Sequence, residues 1–343
     1  MNLNDVAKII QEYLADSPLV VLGSGASVTY GLPTMEGLAD VLRKDALLQA
    51  EENSAKLFSD MATDLEKAID NNTLSEKAKK RIRTLTWKCI NEKDLKLFKD
   101  KKLEEKMQPL VKLIKKIITT SPNQLTIVTT NYDRLSEYAA DLYGASTVSG
   151  FEGNLIRGFD GFSEHVNNKR IAARERVVKI LKVHGSLDWF KTENEDIVSF
   201  PLQKQIPSGY TPLIVPPGKE KYSTTHEEPY RTIIEEADKE FKKAGSFLCI
   251  GYGFNDSHIQ PKLISQIKNA GKPIVVITKK VTDECMRLVA DSNVKKYLIL
   301  EELEELEELE EDDVPKTRVV SNNGEAIVSD NIWSLDEFMK KVW

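Results

Sequence analysis

Three cysteines in 343 residues, Cys89, Cys249 and Cys285, lie far apart, and no Cys-x-x-Cys pair occurs. A structural zinc site needs closely spaced ligand pairs, and a disulfide framework needs a regular, even set. Neither is expected. Long hydrophobic runs are absent as well, since no stretch approaches the ~18 apolar residues of a membrane span. The opening segment, residues 1–18, sets Asp5, Glu12 and Asp16 inside an apolar pattern, which suits an amphipathic helix and not a secretory signal. A cytoplasmic protein without membrane contact is expected. No Gly-Lys-Ser/Thr occurs, which excludes an ATP-type phosphate loop. Histidine is scarce too: His165, His184, His226 and His258 are the four present.

What is there is a series of short apolar runs. The 41% hydrophobic content is enough for one large domain or two smaller ones. "PLVVLG", "QLTIVTT", "VVKILKV", "SFLCIG", "PIVVIT" and "KYLIL" are continuous and apolar, as strands buried on both faces are. Helical spacing covers residues 3–15, 35–49, 134–142, 227–244, 257–269 and 281–290. The final "SLDEFMKKVW" starts on an N-capping Ser334. Residues 144–176 show no period and read as loop, and "TPLIVPPG" reads as extended. Alternating strands and helices predict an α/β fold with a Rossmann-like, doubly wound parallel sheet. Residues 52–118, rich in Lys and Glu with helical periodicity, read as a helical insertion subdomain. The expected division is residues 1–51 and 119–300 for the Rossmann-like domain, 52–118 for the insertion, and 301–343 for an acidic segment with a C-terminal strand and helix.

That acidic segment, "EELEELEELEEDD" at 301–313, alone makes the chain's net charge negative at −6. It reads either as a solvated or disordered run or as an electrostatic docking surface. The basic stretch "KAKKRIRTLTWK" reads as a solvated helix face, and no nucleic-acid contact is expected of this chain alone.

In doubly wound sheets, ligands bind at the carboxyl ends of strands. Four polar clusters follow four of the predicted strands. In "GSGAS", Gly23 and Gly25 permit a tight turn close to a pyrophosphate, and Ser24 and Ser27 offer hydroxyls, although Val28 replaces the third glycine of the usual fingerprint. Asp40 and Asp45 lie near the expected distance for a ribose-binding acid, but both fall inside a predicted helix and not at a strand end. In "TTNYD", Thr129, Thr130, Asn131 and Asp133 end a buried strand. Asn131 can donate and accept, while Asp133 either serves the site or caps the next helix. In "HGSLDWF", His184 stands at a strand end before the flexible Gly185, a fitting place for a general base. In "GYGFND", Gly251 and Gly253 precede Asn255 and Asp256, which either cap a helix or let an adenosine pack closely.

Taken in order, these clusters resemble the sirtuin superfamily, and within it the bacterial sirtuin-like NADases of anti-phage defence. The resemblance spans about residues 18–280. It implies NAD+ as substrate, with the loop of Gly23, Gly25, Ala26 and Ser27 facing the pyrophosphate. It implies Asn131 and His184 as the catalytic pair. Thr34, Thr129, Asp133, Gly185, Gly251 and Asn255 are the further residues expected around the dinucleotide. Deacylating sirtuins carry a four-cysteine zinc module and Gly-Ile-Pro-Asp-Phe-Arg. Here no zinc is expected, and Gly31-Leu32-Pro33-Thr34-Met35-Glu36 stands in that place, which favours NAD+ hydrolysis over deacylation. A non-catalytic NAD or ADP-ribose sensor, and ADP-ribosyl transfer or deacylation, are the alternatives. The same resemblance implies a homo-oligomer restrained by a separate partner, a hexameric ATPase of the HerA type.

Overall fold

A computed structural model describes the chain except residues 52, 64, 121–123, 163–175, 218–225, 257–258 and 304–315. The helix α1 (Leu3–Tyr13) opens on a capping box in which the side chains of Asn2 and Asp5 each accept the other's backbone N–H. After it come β1 (Pro18–Leu22), α2 (Gly25–Val28), α3 (Met35–Arg43), α4 (Ala46–Gln49), α5 (Ser54–Met61), α6 (Leu65–Asn71), α7 (Glu76–Phe98) and α8 (Leu103–Thr120). The chain continues through β2 (Gln124–Thr129), α9 (Leu135–Tyr143), β3 (Ser146–Val148), β4 (Phe151–Gly153), β5 (Arg157–Phe159), β6 (Val177–Lys182), β7 (Gly185–Thr192), β8 (Ile197–Ser199) and β9 (Tyr210–Ile214). It ends with α10 (Tyr230–Lys243), β10 (Ser246–Ile250), α11 (Gln260–Asn269), β11 (Ile274–Thr278), α12 (Asp283–Val289), β12 (Tyr297–Glu302), β13 (Thr317–Ser321), β14 (Gly324–Val328) and α13 (Leu335–Lys341).

The larger sheet has the order β14-β13-β12-β11-β10-β1-β2-β6-β3. From β12 to β3 every pairing is parallel, and β13 and β14 add an antiparallel edge. The chain builds outward from β1 in both directions, through β2 on one side and β10 on the other. That reversal is the topological switch at which such sheets bind ligands.

Side chains alternate strictly across the sheet because successive Cβ atoms of a strand point to opposite faces. Val20, Leu22, Ile127, Ile180, Leu248 and Val275 pack with α1, α8, α9 and α13. Leu19, Val21, Val128, Leu181, Phe247 and Val276 pack with α10, α11 and α12. Both layers are largely apolar, with the buried lysines of β6 as exceptions, which is why each strand reads as a nearly continuous hydrophobic run. A third core gathers Leu38, Leu42, Leu48, Leu57, Met61, Leu65, Ala68 and Ile82 from α3 to α7. Helix α8 belongs elsewhere: Met107, Leu110, Leu113, Ile114 and Ile117 cover the main sheet. No helix among the described residues is long and apolar enough to cross a membrane.

Several expectations need correction. The helix expected over 35–49 is two helices. Asp45 stops the first by capping the second, its carboxylate accepting Leu48 N–H, and Arg81 of α7 holds that carboxylate from 2.6 Å. Asp40 merely pairs with Arg43 on the surface. Residues 144–176 are not simply loop: β3, β4 and β5 lie there, three residues each and too short to show a period. The strands β4, β5, β8, β7 and β9 form a second, wholly antiparallel sheet. The helix expected from 257 starts at Gln260, and residues 257–258 lie outside the described residues. So does most of the acidic run, of which Glu301 and Glu302 end β12.

Candidate functional site

The carboxyl ends of β1, β2, β6 and β10 meet at one cavity of about 980 Å³. Gly23, Ser27, Thr34, Asn131, Asp133, His184 and Asn255 lie on its wall. The opposite wall comes from the helical unit, with Met61, Thr63, Glu66 and Asp70. Small-molecule and cofactor pockets span about 300–1,000 Å³, so this one sits at the upper end, where an extended ligand is accommodated.

The sheet's hydrogen bonding runs on into the site. Thr130 N–H donates to Leu22 O at 3.3 Å, and Val183 N–H donates to Thr129 O at 3.1 Å. Thr129 Oγ1 donates to Leu22 O at 3.0 Å and accepts Asn131 N–H at 3.0 Å. Thr129 thus stands behind the wall and fixes where Asn131 begins.

Asn131 Nδ2 donates to Gly23 O at 2.8 Å and to Ser27 Oγ at 2.9 Å. Ser27 Oγ in turn donates to Asp133 Oδ2 at 2.6 Å. The Ser27 hydroxyl is therefore spent inside the protein and not on a ligand. Both amide hydrogens of Asn131 are also used, so what Asn131 presents to the cavity is its Oδ1, an acceptor. Asp133 serves both readings at once: its Oδ1 accepts Leu135 N–H at 3.2 Å and caps α9, while its other oxygen holds Ser27. Burial pushes the Asp133 carboxyl above the usual carboxylate range, against the pull of Lys182. Thr34 is the N-cap of α3, accepting Gly37 N–H at 3.1 Å.

Three glycines meet where the phosphate-type loop backs onto the turn after β10. A Cβ on Gly23 would collide with Gly251 O, and one on Gly251 would collide with Ala26 N and Gly25 C. Gly25 N–H donates to Gly251 O at 3.1 Å, and Gly251 N–H donates to Ile277 O at 2.9 Å. Gly251, at φ +55°, thus clasps the turn of Gly25 and Ala26 by backbone contact. Gly25, Ala26 and Gly251 shape the wall from behind it. Gly185 has a similar part: at φ +90° it turns the chain from β6 into β7, with Leu213 O where a side chain would go.

His184 sits at that corner, 3% exposed, between the parallel and the antiparallel sheet. Its carbonyl accepts Val215 N–H at 2.9 Å. Its Nε2 lies 2.8 Å from Asp256 Oδ2, at ion-pair distance. Tyr252, on the same turn as Asp256, is also on the wall, and its hydroxyl is buried with no hydrogen-bond partner among the described residues. Burial pushes its phenol well up, and Asp256 adds to that.

Beneath the site runs a buried ionic lattice that motif reading missed. Lys182, 1% exposed, donates to Asp133 O, to Ser186 Oγ at 2.9 Å and to Glu137 Oε1 at 2.8 Å. Asp94 of α7 accepts from Arg134 N at 2.9 Å, from the Arg134 guanidinium at 2.7 Å and from Tyr138 Oη at 2.6 Å. These contacts pin the turn between β2 and α9 from below. A lysine inside the apolar run "VVKILKV" was the available signal for Lys182, and the acid closing "GYGFND" was the signal for Asp256. His165 and His258 lie outside the described residues. Cys249 and Cys285 are buried thiols, and burial pushes Cys285 up to about 12. Among the described residues no group of three or more His, Cys, Asp or Glu could hold a metal ion.

A parallel sheet with its switch at β1, and one cavity at that switch, define a doubly wound nucleotide-type fold. The SIR2-like domain family matches residues 125–297, and the chain belongs to that family. Among solved structures, one of a Sir2 enzyme concerned with mechanism and regulation is 18% identical, with a TM-score of 0.46, and the match covers 86% of this chain and 91% of that one. A Sir2 homologue in complex with NAD is 16% identical, with a TM-score of 0.45, covering 85% and 87% respectively. No curated protein matches the chain.

Proposed function

We propose that the protein is an NAD+ glycohydrolase, cleaving NAD+ to ADP-ribose and nicotinamide. The observation that carries this reading is the meeting of Asn131 and His184, from the ends of adjacent strands β2 and β6, on one large cavity in a chain of the SIR2-like family. In the reaction the C1′–N bond of the nicotinamide ribose breaks and nicotinamide leaves with the bonding electrons. It departs neutral, because it was cationic while bound. Water adds its oxygen to C1′, and one proton is released. Oδ1 of Asn131 is an acceptor for that water or for a ribose hydroxyl. His184 takes the proton as general base, either from the water or through a ribose hydroxyl. The cavity walls keep the dinucleotide in a reactive pose and bulk water out. Gly23, Thr34, Asp133 and Asn255 would lie against the dinucleotide, with Gly25, Ala26, Ser27, Thr129, Gly185 and Gly251 shaping the wall that receives it.

The test is release of nicotinamide from NAD+ by the purified protein. Asn131→Ala and His184→Ala are each expected to lower it by about 10²–10⁴-fold, the usual worth of general acid–base catalysis. Full activity in either variant refutes the assignment.

We further propose a defence effector that depletes NAD+ and is held in check in a cytoplasmic homo-oligomer with a HerA-type ATPase. Support comes from the motif resemblance and from the need to restrain any enzyme that empties the NAD+ pool. Mass measurement of the chain alone and with the ATPase tests it; a monomer in both refutes it.

A further inference from the structure

We infer that Asp256 is a positioning residue for His184, orienting its imidazole and neutralising the positive charge it gains when it accepts a proton; this rests on the glycohydrolase reading above. The two side chains come from different strand ends, His184 after β6 and Asp256 after β10, on opposite sides of the β1–β2 pair. They meet with Nε2 2.8 Å from Oδ2, 3% and 8% exposed respectively, and both lie on the cavity wall. A carboxylate so deeply buried needs a partner, and the imidazole supplies one when protonated. The contact has the distance of an ion pair without in-line hydrogen-bond geometry. Catalytic hydrogen bonds in ligand-free sites often have this character and tighten once substrate is bound.

Asp256 is held for this part. Its other oxygen accepts Ile259 N–H at 3.3 Å, and its carbonyl accepts Gln260 N–H at 3.1 Å, so the carboxylate is fixed against the start of α11. Tyr132 and Tyr252 flank it, and their phenols stay neutral, raised by burial first and by Asp256 among the other charges. Asp256 is therefore a carboxylate close to the base, and the two phenols beside it keep their own protons. Orientation by Asp256 requires the proton of the neutral ring on Nε2, which leaves Nδ1 as the basic atom.

Asp256→Asn separates the charge from the turn, because asparagine caps a helix start as well as aspartate does. The expected result is a kcat lowered about 10–100-fold, with KM and the calorimetric affinity for ADP-ribose within about threefold of the parent. In the His184→Ala background the same change should alter kcat less than twofold, because residues acting as one unit are not additive. Asp256→Glu should recover part of the loss. An unchanged kcat, a loss additive with His184→Ala, or a loss of ADP-ribose affinity equal to the loss of kcat overturns the inference.

A second measurement does not depend on turnover. In protein labelled with 15N-histidine, the imidazole signal that vanishes in His184→Ala should carry its proton on Nε2 near neutral pH. Asp256→Asn should move that signal more than those of the other three histidines. A proton on Nδ1, or a signal indifferent to Asp256, overturns the pairing even if NAD+ is cleaved. The Nε2 signature in a protein that cleaves no NAD+ leaves the pairing standing and sinks the glycohydrolase reading instead.

Discussion

Strand β6 carries two buried lysines, Lys179 and Lys182, at 5% and 1% exposure. Three residues apart on a strand of period two, they point to opposite faces of the sheet. Lys179 meets Glu236 at 2.7 Å and Glu240 at 3.0 Å, both on α10 and away from the cavity. Lys182 meets Glu137, Ser186 and the main-chain carbonyl of Asp133, directly under the candidate site. The carboxylates answer differently. Glu240 is held below its ordinary value: burial opposes ionisation, but Lys243 and Lys179 together outweigh it. Glu137 is raised, because burial there exceeds the pull of Lys182. Asp188 is lowered: burial resists, and Lys182, Arg157 and the Ser186 hydroxyl prevail. One face of the strand therefore carries a self-sufficient clamp. The other carries a lattice in which Lys182 bonds to Glu137, to Ser186 and to a main-chain turn, and Asp188, reached through Ser186, is the carboxylate that Lys182 helps to hold down.

The sharpest way to break this contrast is Lys182→Met. It leaves the Glu137 carboxylate without its cation, takes one of the cations near Asp188 and frees the Asp133 carbonyl, so a stability loss of about 3–5 kcal/mol is expected in denaturant melts. Nicotinamide release per folded molecule should fall as well. Normal turnover in whatever fraction folds would show that the lattice does not position Asn131. A smaller effect is expected of Lys179→Met, about 1.5–3 kcal/mol for lost bonds to charged groups, since Lys239 and Lys243 remain beside Glu236 and Glu240. Its ADP-ribose affinity should stay at the parent value, and a loss matching that of Lys182→Met would erase the distinction between the faces.

The smallest effects lie in pH. Because the folded value of Glu240 is depressed, its contribution is present above the ordinary value of 4.5 and is lost as pH falls through the folded value. Glu240→Gln should therefore cost stability at pH 7 and very little in acid below that window. For Glu137 the sign reverses: its folded value is raised, so ionisation costs stability, and the cost grows as pH climbs above the ordinary 4.5. Glu137→Gln should be neutral or slightly stabilising at pH 7 and above. A clear loss there would mean that Glu137, and not Asp188, is the counter-ion of Lys182.

Much of this was legible in the sequence, and what was not has physical causes. The parallel strands announce themselves because both faces are covered, so "PLVVL" and "SFLCI" need no polar positions. The four polar clusters are legible because they must follow those strands. The second sheet is hidden, since β4, β5 and β8 are three residues each and alternation cannot be seen over three positions. The break after Arg43 is hidden because it depends on Arg81, 36 residues away in sequence, holding the capping Asp45. Asp256 was in view as a helix cap, and it does hold Ile259 N–H. Its second engagement, with a histidine 72 residues earlier, is set by sheet order, which no local pattern records.

The clasp of Gly23, Gly25 and Gly251 bears on how this chain can vary. At each of the three positions the smallest possible enlargement, one methyl group, meets main chain and not a side chain that could swing aside. No single neighbouring substitution can make room, because the obstruction is the same in every sequence. The two turns are thus locked to one letter at three places, while the exposed Ser24 beside them has no such main-chain obstruction. A library randomised across both turns should return glycine at those three positions and diversity at Ser24.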